Sequence, residues 1–212
     1  MGALLRLGWY AGIVRPFVHL VLGINLRGRE HLPREGPAVI VANHNSHLDA
    51  MVLASLLPLR LLGRVRPVAA ADYFLRNRLL AWFSLEVVGI IPIDRKVPAG
   101  RDPLAPLSAA LERGEVLILF PEGSRGRPEI MSRLKTGIAH LARRHPEVPV
   151  IPVFLHGLGK ALPKGEALLV PFFCDIFVGP PLAWNGDRSR YMQQLAAAFD
   201  SLAHRIPRPA WE

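Results

Sequence analysis

The sequence predicts an α/β fold with a central, mainly parallel or mixed sheet flanked by helices. Past residue 29, short β-branched runs alternate with helical patterns, which is typical of a sheet with helices on both faces. The chain has 212 residues and 50% hydrophobic content, enough for a single core. Polar clusters directly follow several predicted strands, where α/β sheets place their ligands.

Residues 1–27 are predicted to form a separate N-terminal segment. They are apolar but are interrupted by Arg6, Arg15, Pro16 and His19. A membrane span needs about 20 mostly apolar residues, and a secretory signal needs a clean apolar stretch before a small-residue cleavage site. We therefore expect one or two short helices lying in a membrane interface. The alternative is an ordinary helix packed on the core. Residues 28–212 are predicted to form the α/β domain.

The predicted strands of that domain are short apolar runs bounded by turn residues. In chain order they are PAVIVAN from Pro37, a weaker strand near 67–70, GIIPI, EVLILF, VPVIPVFL and a strand near CDIFVG. The order of the runs, with helical patterns between them, predicts the layered fold.

The predicted helices lie between these strands. The first is capped by Ser46, with Asp49 placed as in a capping box, and is followed by Pro58. The next are LRNRLLAWFSLEV, LAPLSAALERG and a helix from about 135 to 144. In the last helix, apolar residues at steps of three and four are expected to face the core: Met192, Leu195, Phe199, Leu202 and Ile206.

The charge of the chain indicates a polyanionic partner. Lysine and arginine total 26 against 17 acidic residues, a net charge of +9, which suits nucleic acid, an anionic membrane or a phosphorylated substrate. The mean hydropathy of +0.24 favours a membrane lipid surface over nucleic acid. The single cysteine, Cys174, excludes an intrachain disulfide and suits a reducing compartment.

The cluster NHNSHLD places His44 and Asp49 between a predicted strand and a predicted helix. An imidazole with a pKa near ~6.5 is a natural base for an alcohol, and a neighbouring carboxylate fixes its tautomer. The chain has no serine in a nucleophile elbow, so the activated alcohol is expected to be the substrate's own. A metal site with His47 lacks a further ligand cluster, and no metal is predicted.

Basic residues and a glycine follow other predicted strands or open a helix. They are Arg95 in IDR, Gly123, Arg125 and Arg127 in PEGSRGR, and Lys135 in LKTG. Guanidinium forks and an ammonium point charge together suit a phosphate monoester, and we favour Arg125 over Arg127 as the ligand. The alternative for each is solvated surface charge.

The polar clusters, in this order, resemble the four sequence blocks of the lysophosphatidic acid acyltransferase family. NHNSHLD, GIIPIDR, FPEGSRGR and VPVIPVFLHG match these blocks between about Gly28 and Gly157. A histidine separated by four residues from an aspartate is a weak pattern alone, but followed by FPEGSR at a strand end it is highly specific. Pro92, Ser124 and Gly126 depart from residues common in the family, and these departures bear on the identity of the acceptor.

The resemblance implies that residues 28–212 are an acyltransferase domain in which His44 is the general base and Asp49 its partner. It assigns the phosphate and glycerol portion to four residues: Arg95, Glu122, Gly123 and Arg125. Lys135 joins them from the reading of the basic clusters. The acyl donor would be a thioester on coenzyme A or acyl carrier protein, without a bound cofactor. The family also implies membrane association, here placed at the cytoplasmic face.

The predicted function is transfer of a fatty acyl group to the free hydroxyl of 1-acyl-sn-glycerol-3-phosphate, which gives phosphatidic acid. One alternative keeps the chemistry and changes the acceptor to a lyso-ornithine lipid or another lysophospholipid. A second alternative is a non-catalytic basic protein that binds anionic lipid or nucleic acid. The acyl-chain preference, the carrier of the donor and the oligomeric state stay open.

Overall fold

The computed structural model describes residues 2–46, 48–94, 100–123, 133–158 and 173–206, and in them the chain forms one seven-stranded sheet. The strands are β1 (Gly23–Arg27), β2 (Ala38–Ala42), β3 (Val65–Ala70), β4 (Ile91–Ile93), β5 (Val116–Leu119), β6 (Val150–His156) and β7 (Phe173–Val178). Their order across the sheet is β1-β7-β6-β2-β5-β3-β4.

Strand direction brings several carboxyl ends to one edge of the sheet. Neighbouring strands are parallel except β6 and β7, which are antiparallel. Strands β6, β2, β5, β3 and β4 therefore run one way, and β7 and β1 run the other. This mixed sheet confirms the predicted fold class.

The helices pack on both faces of the sheet. They are α1 (Gly2–Trp9), α2 (Arg15–Val21), α3 (Asp49–Ser55), α4 (Leu59–Leu62), α5 (Ala71–Phe74), α6 (Arg78–Trp82), α7 (Ala105–Glu112), α8 (Gly137–Arg144) and α9 (Arg188–Ala203). A π-helical turn over Tyr10–Val14 joins α1 to α2, and a second over Phe83–Val88 continues α6.

Two hydrophobic cores lie on opposite faces of the sheet because side chains alternate along each strand. Ile40 of β2 packs in a first core with residues of α2, α3 and α4. Its neighbours Val39 and Val41 pack in a second core with residues of α7, α8 and α9. Strand β2 is buried on both faces, as expected for a central parallel strand.

The N-terminal helices pack on the core along one face and expose the other. Tyr10, Val14 and Val18 are buried in the first core, and the Tyr10 hydroxyl donates to the Val88 carbonyl at 3.0 Å. The opposite face is apolar and open, with Leu20 85% exposed. Across the described ranges, no helix has the length and apolarity that a membrane span needs. The interfacial position of residues 1–27 stays a prediction.

One strand was not predicted. Residues 23–27 form β1, which pairs with β7 from Gly23↔Phe173 to Arg27↔Phe177, so the helical part of the N-terminal segment ends at Val21. The sequence predicted one or two short helices in residues 1–27 and no strand; β1 was missed because a distant strand supplies its hydrogen-bond partners.

The last helix follows its predicted stripe with two differences. Leu195, Phe199 and Leu202 are buried in the second core as expected. Tyr191, which the stripe did not include, is also fully buried there. Ile206 lies beyond the end of α9 and packs on the same core from outside the helix.

Candidate active site

His44 and Asp49 meet at the junction between β2 and α3. Nδ1 of His44 lies 2.9 Å from Oδ2 of Asp49, and the His44 side chain is 21% exposed while that of Asp49 is fully buried. A carboxylate only accepts hydrogen bonds, so this geometry assigns the imidazole proton to Nδ1. Nε2 is then the nitrogen left to accept a proton from a substrate.

The Asp49 carboxylate is held by backbone groups as well as by the histidine. Its Oδ2 accepts hydrogen bonds from the backbone N–H of Asn45 at 2.6 Å and of Ser46 at 2.8 Å. Burial raises the pKa of the Asp49 carboxyl above its ordinary value, and the bonds from His44, Ser46 and Asn45 act in the opposite direction. These donors fix the carboxylate against the imidazole.

The start of α3 differs from the predicted cap. The helix begins at Asp49 and its N-cap is Leu48, with no side-chain capping bond. The Ser46 hydroxyl accepts instead from the Leu48 N–H at 3.3 Å. The reciprocal half of the predicted capping box is present, because the Asp49 side chain bonds the Ser46 N–H. Asp49 therefore serves the loop and the histidine together.

Two asparagines that the sequence reading did not single out anchor this loop to β6. The Asn43 side chain donates to the Leu155 carbonyl at 2.9 Å and accepts from the Leu155 N–H at 2.7 Å. The Asn45 side chain donates to the same carbonyl at 2.9 Å. Both side chains are buried. They satisfy the backbone groups of Leu155 in β6 at the point where β2 has ended and no longer pairs with it. The signal for this role in the sequence is the asparagine on each side of His44.

The residues after β5 hold His44 from the other side. Oε1 of the buried Glu122 accepts from the His44 backbone N–H at 2.9 Å. The Phe120 ring stacks on the imidazole with 4.2 Å between centroids and 19° between planes. Glu122 thus positions the histidine; its predicted contact with substrate stays a prediction.

Gly123 and Lys135 come together beside this loop. Gly123 has φ +74°, and a Cβ built on it would clash with Nζ of Lys135. The Lys135 N–H also bonds the Pro121 carbonyl at 2.9 Å. The missing side chain of Gly123 therefore leaves room for an ammonium group one residue from Glu122, which itself bonds His44.

Six residues named from the sequence lie outside the described residues: His47, Arg95, Ser124, Arg125, Gly126 and Arg127. Their roles stay predictions. Within the described part of the chain, no group of three or more His, Cys, Asp or Glu residues is arranged to hold a metal ion. The described site offers an imidazole with a fixed tautomer and a nearby ammonium. Together these groups can accept a proton from an alcohol and attract an anionic substituent of the same molecule.

Comparison with known proteins places this site inside a recognised sequence family. A family model described as Acyltransferase matches residues 23–156, a range that contains the predicted site residues from His44 to Lys135. The chain is 30% identical over 160 residues to a chloroplastic 1-acyl-sn-glycerol-3-phosphate acyltransferase of Arabidopsis thaliana, and the match covers 74% of this chain and 42% of the relative. It is 29% identical over 167 residues to a human 1-acyl-sn-glycerol-3-phosphate acyltransferase alpha, covering 77% and 56%.

The chain spans about half the length of these curated relatives. One solved structure matches this chain over a larger share of both proteins. The 1-acyl-sn-glycerophosphate acyltransferase PlsC of Thermotoga maritima superposes with a TM-score of 0.73, covering 95% of this chain and 81% of that one. The sequence identity is 18%, so this likeness establishes the shared fold.

Proposed function

The chain belongs to the acyltransferase family, and from that premise we propose that it transfers a fatty acyl group from a thioester to 1-acyl-sn-glycerol-3-phosphate. The product is phosphatidic acid. The observation that carries the proposal is the 2.9 Å contact between His44 and the buried Asp49. Lys135 lies against Gly123, the residue after the Glu122 that bonds the His44 backbone. The names of the relatives support the choice of acceptor.

In the proposed reaction His44 is the general base. Its Nε2 takes the proton of the acceptor hydroxyl, and the hydroxyl oxygen attacks the thioester carbonyl carbon. The tetrahedral intermediate collapses to the new ester, the carbon–sulfur bond breaks, and the imidazolium returns the proton to the thiolate. Asp49 stabilises the imidazolium while it exists. The donor is acyl-coenzyme A or acyl carrier protein, and no further cofactor enters the reaction.

The acceptor's phosphate is the proposed ligand of the basic residues. Lys135 supplies an ammonium beside Gly123, and Arg95 and Arg125 are proposed to supply guanidinium forks. With the phosphate held there, the free hydroxyl of the glycerol lies toward His44. Recognition of the phosphate thereby distinguishes lysophosphatidic acid from a neutral lysolipid.

The proposed partner surface is a membrane, where both the acceptor and the product reside. The outer face of the N-terminal helices exposes Leu4, Ile13 and Leu20, and α6 exposes Leu79 and Trp82. An edge-to-face contact between Trp9 and Phe83, 5.0 Å between centroids, joins the N-terminal helices to the π-helical turn after α6. Apolar side chains exposed on joined elements suit the acyl layer of one leaflet.

The decisive experiment is an acyl-transfer assay of the purified protein in detergent. Acyl-coenzyme A and acyl carrier protein are offered as donors, with lysophosphatidic acid, lysophosphatidylcholine and a lyso-ornithine lipid as acceptors. We expect phosphatidic acid as the main product. His44→Ala should lower turnover by about 10²-fold or more, the loss expected for a general base.

His204→Ala is the matched control because His204 is exposed near the end of α9. It should retain full turnover. Full turnover in His44→Ala would refute the mechanism, and preference for the lyso-ornithine lipid, which has no phosphate, would refute phosphate recognition.

A further inference from the structure

A second charged region lies away from His44, beneath the amino ends of β3 and β4. It is a cavity of about 630 Å³ between α1 and α7, lined by charged and apolar side chains that include Arg6, Arg66, Glu86, Ile90, Pro106 and Arg113. Arg66 lies four residues before the carboxyl end of β3, which is about 13 Å along a strand. His44 follows the carboxyl end of β2, at the opposite edge of the sheet.

The cavity carries an excess of positive charge. Arg66 and Arg113 both reach the carboxylate of Glu115, at 3.4 and 3.0 Å. Arg6 is buried and donates through Nε to the Gly63 carbonyl at 3.0 Å. The side chains of Arg6 and Glu86 both lie against Gly2. Among the described residues, three guanidinium groups therefore face two carboxylates, which leaves one positive charge in excess.

Arg66 carries a buried donor that is left unsatisfied. Its Nε is buried and has no hydrogen-bond partner among the described residues, whereas buried donors are nearly always satisfied. Burial lowers the pKa of Arg66 below its ordinary value, Glu115 opposes this, and the nearby Arg6 and Arg113 lower the pKa further. Arginine stays charged at neutral pH, so an anion in the cavity would relieve the repulsion among the guanidinium groups of Arg6, Arg66 and Arg113.

We propose that this cavity binds the phosphate group of an organic phosphate, a ligand separate from the acyl acceptor. Guanidinium forks match phosphate oxygens in geometry and charge. The volume exceeds that of a phosphate ion, and Ile90 and Pro106 provide an apolar wall for the organic part. The bound phosphate connects Arg6 of α1 to Arg66 of β3, so it fastens the N-terminal helices to the sheet. Its source is either a free phosphate compound or a lipid headgroup.

The first test measures thermal unfolding with inorganic phosphate against chloride at equal ionic strength. Lys135→Gln is the background, because phosphate could otherwise also stabilise the protein at the proposed acceptor site. We expect phosphate to raise the unfolding temperature of Lys135→Gln saturably, and not that of the double variant Lys135→Gln/Arg66→Gln. An equal rise in both proteins, or no rise in Lys135→Gln, overturns the proposal.

Two further variants guard against a folding artefact. The Arg113 side chain is 55% exposed, so Arg113→Gln leaves the Arg66–Glu115 pair and the core in place. In the same background it should raise the phosphate concentration for half-maximal stabilisation about tenfold, the loss of one charge-assisted hydrogen bond. Arg101→Gln, an exposed change outside the cavity lining, should leave that concentration unchanged. Equal midpoints for Arg113→Gln and Arg101→Gln contradict the site.

Hydrogen exchange locates the stabilising effect of phosphate in the chain, and vesicle binding identifies the source of the phosphate group. Phosphate should slow amide exchange in residues 3–10 only when Arg66 is present; protection without Arg66 counts against the site. If a lipid supplies the phosphate, Arg66→Gln reduces the preference for phosphatidylcholine vesicles containing phosphatidic acid over pure phosphatidylcholine vesicles. If a free compound supplies it, this preference is unchanged while the phosphate-induced stabilisation is still lost. The phosphate effect is expected to persist in His44→Ala, so a failure of the acyl-transfer mechanism is distinguishable from a failure of this site.

Discussion

Two histidine–aspartate pairs lie at the same edge of the sheet and differ in how they are held. Nδ1 of His44 is 2.9 Å from Asp49, a hydrogen bond, whereas Nδ1 of His156 is 3.7 Å from Asp175, beyond hydrogen-bond range. Asp49 is fully buried and accepts from two backbone N–H groups. Asp175 is 22% exposed and accepts from the Asn25 amide.

The pairs also lie on opposite faces of the sheet. His44 stacks on Phe120, which packs on the first core. His156 follows Phe154 of the second core at the strand spacing of two, so its side chain points to that other face. Two features distinguish the first pair, which we propose as the one that contains the general base. Its carboxylate is buried, and its loop is held to β6 by the clamp, the hydrogen bonds of Asn43 and Asn45 to Leu155.

Removing the charge of Asp49 should have the largest effect on turnover of the changes in the two pairs. An asparagine cannot replace the carboxylate, because the neutral amide introduced by Asp49→Asn does not stabilise the imidazolium, and an amide nitrogen turned toward Nδ1 would place the imidazole proton on Nε2. We expect kcat for acyl transfer to fall by about 10³-fold or more, as for the equivalent change in a serine-protease triad. The measurement is steady-state turnover, and a variant within about tenfold of wild type would contradict the assigned tautomer.

The same substitution should also change how the stability of the protein depends on pH. Burial raises the folded-state pKa of Asp49, so the stability that its carboxyl contributes is present below the unfolded pKa, about 3.9. That contribution is lost as the pH rises through the folded pKa. The unfolding temperature of Asp49→Asn should therefore rise relative to wild type as the pH increases from about 4 through the folded-state pKa. A constant difference over that interval would show that the pKa of Asp49 is not raised on folding.

Loosening the clamp on the loop should have the next largest effect. Asn43→Ala leaves both the N–H and the carbonyl of Leu155 without the Asn43 side chain, and the His44 loop loses two of its anchors. We expect kcat to fall by up to about 10²-fold, the cost of a misplaced catalytic group. The Leu155 carbonyl keeps its bond from Asn45, but the Leu155 N–H loses its acceptor, which should lower the free energy of unfolding by about 1–3 kcal/mol.

Asn25→Ala is the matched control for the clamp, since it removes an amide that serves only the second pair among the described contacts. It should leave kcat unchanged. An equal fall in kcat for the two variants would mean that general destabilisation, and not the position of His44, lowers turnover.

Sequence reading could place His44 and Asp49 because a local pattern carries the information. The apolar runs on either side mark a strand and a helix, and the two residues are five positions apart. The clamp joins Asn43 to Leu155 across 112 positions, and no periodicity in one segment reveals which distant strand will lie beside it. Strand β1 was missed for the same reason, because its partner β7 comes near the other end of the chain. Local chemistry was predictable, and the contacts that hold it in place were not.

The ammonium beside the first pair provides a more selective test. Gly123→Ala introduces a methyl group where Nζ of Lys135 lies, so it should displace the charge from the site. We expect the KM for lysophosphatidic acid to rise about tenfold, equivalent to one charge-assisted hydrogen bond, with a smaller change in kcat.

Gly186→Ala is the control for backbone strain in this comparison. Gly186 also has a positive φ, +88°, but a Cβ there meets nothing within 4 Å. It carries the same conformational penalty without touching a charged group, and its KM should equal that of wild type. If both variants raise KM alike, strain and not displacement of Lys135 is the cause.

Changes in the second pair should have the smallest effect on turnover. Asp175→Asn keeps the oxygen that accepts from Asn25, and at 3.7 Å from His156 its lost charge breaks no hydrogen bond between the two side chains. Because His156 points to the other face of the sheet, we expect kcat within about twofold of wild type. The paired variants Asp49→Asn and Asp175→Asn, measured in one assay, give the contrast directly. A fall in kcat of about 10²-fold in Asp175→Asn is the size expected for loss of a general base. It would make the second pair part of the active site. It would also show that burial of the aspartate does not decide which histidine acts as the base.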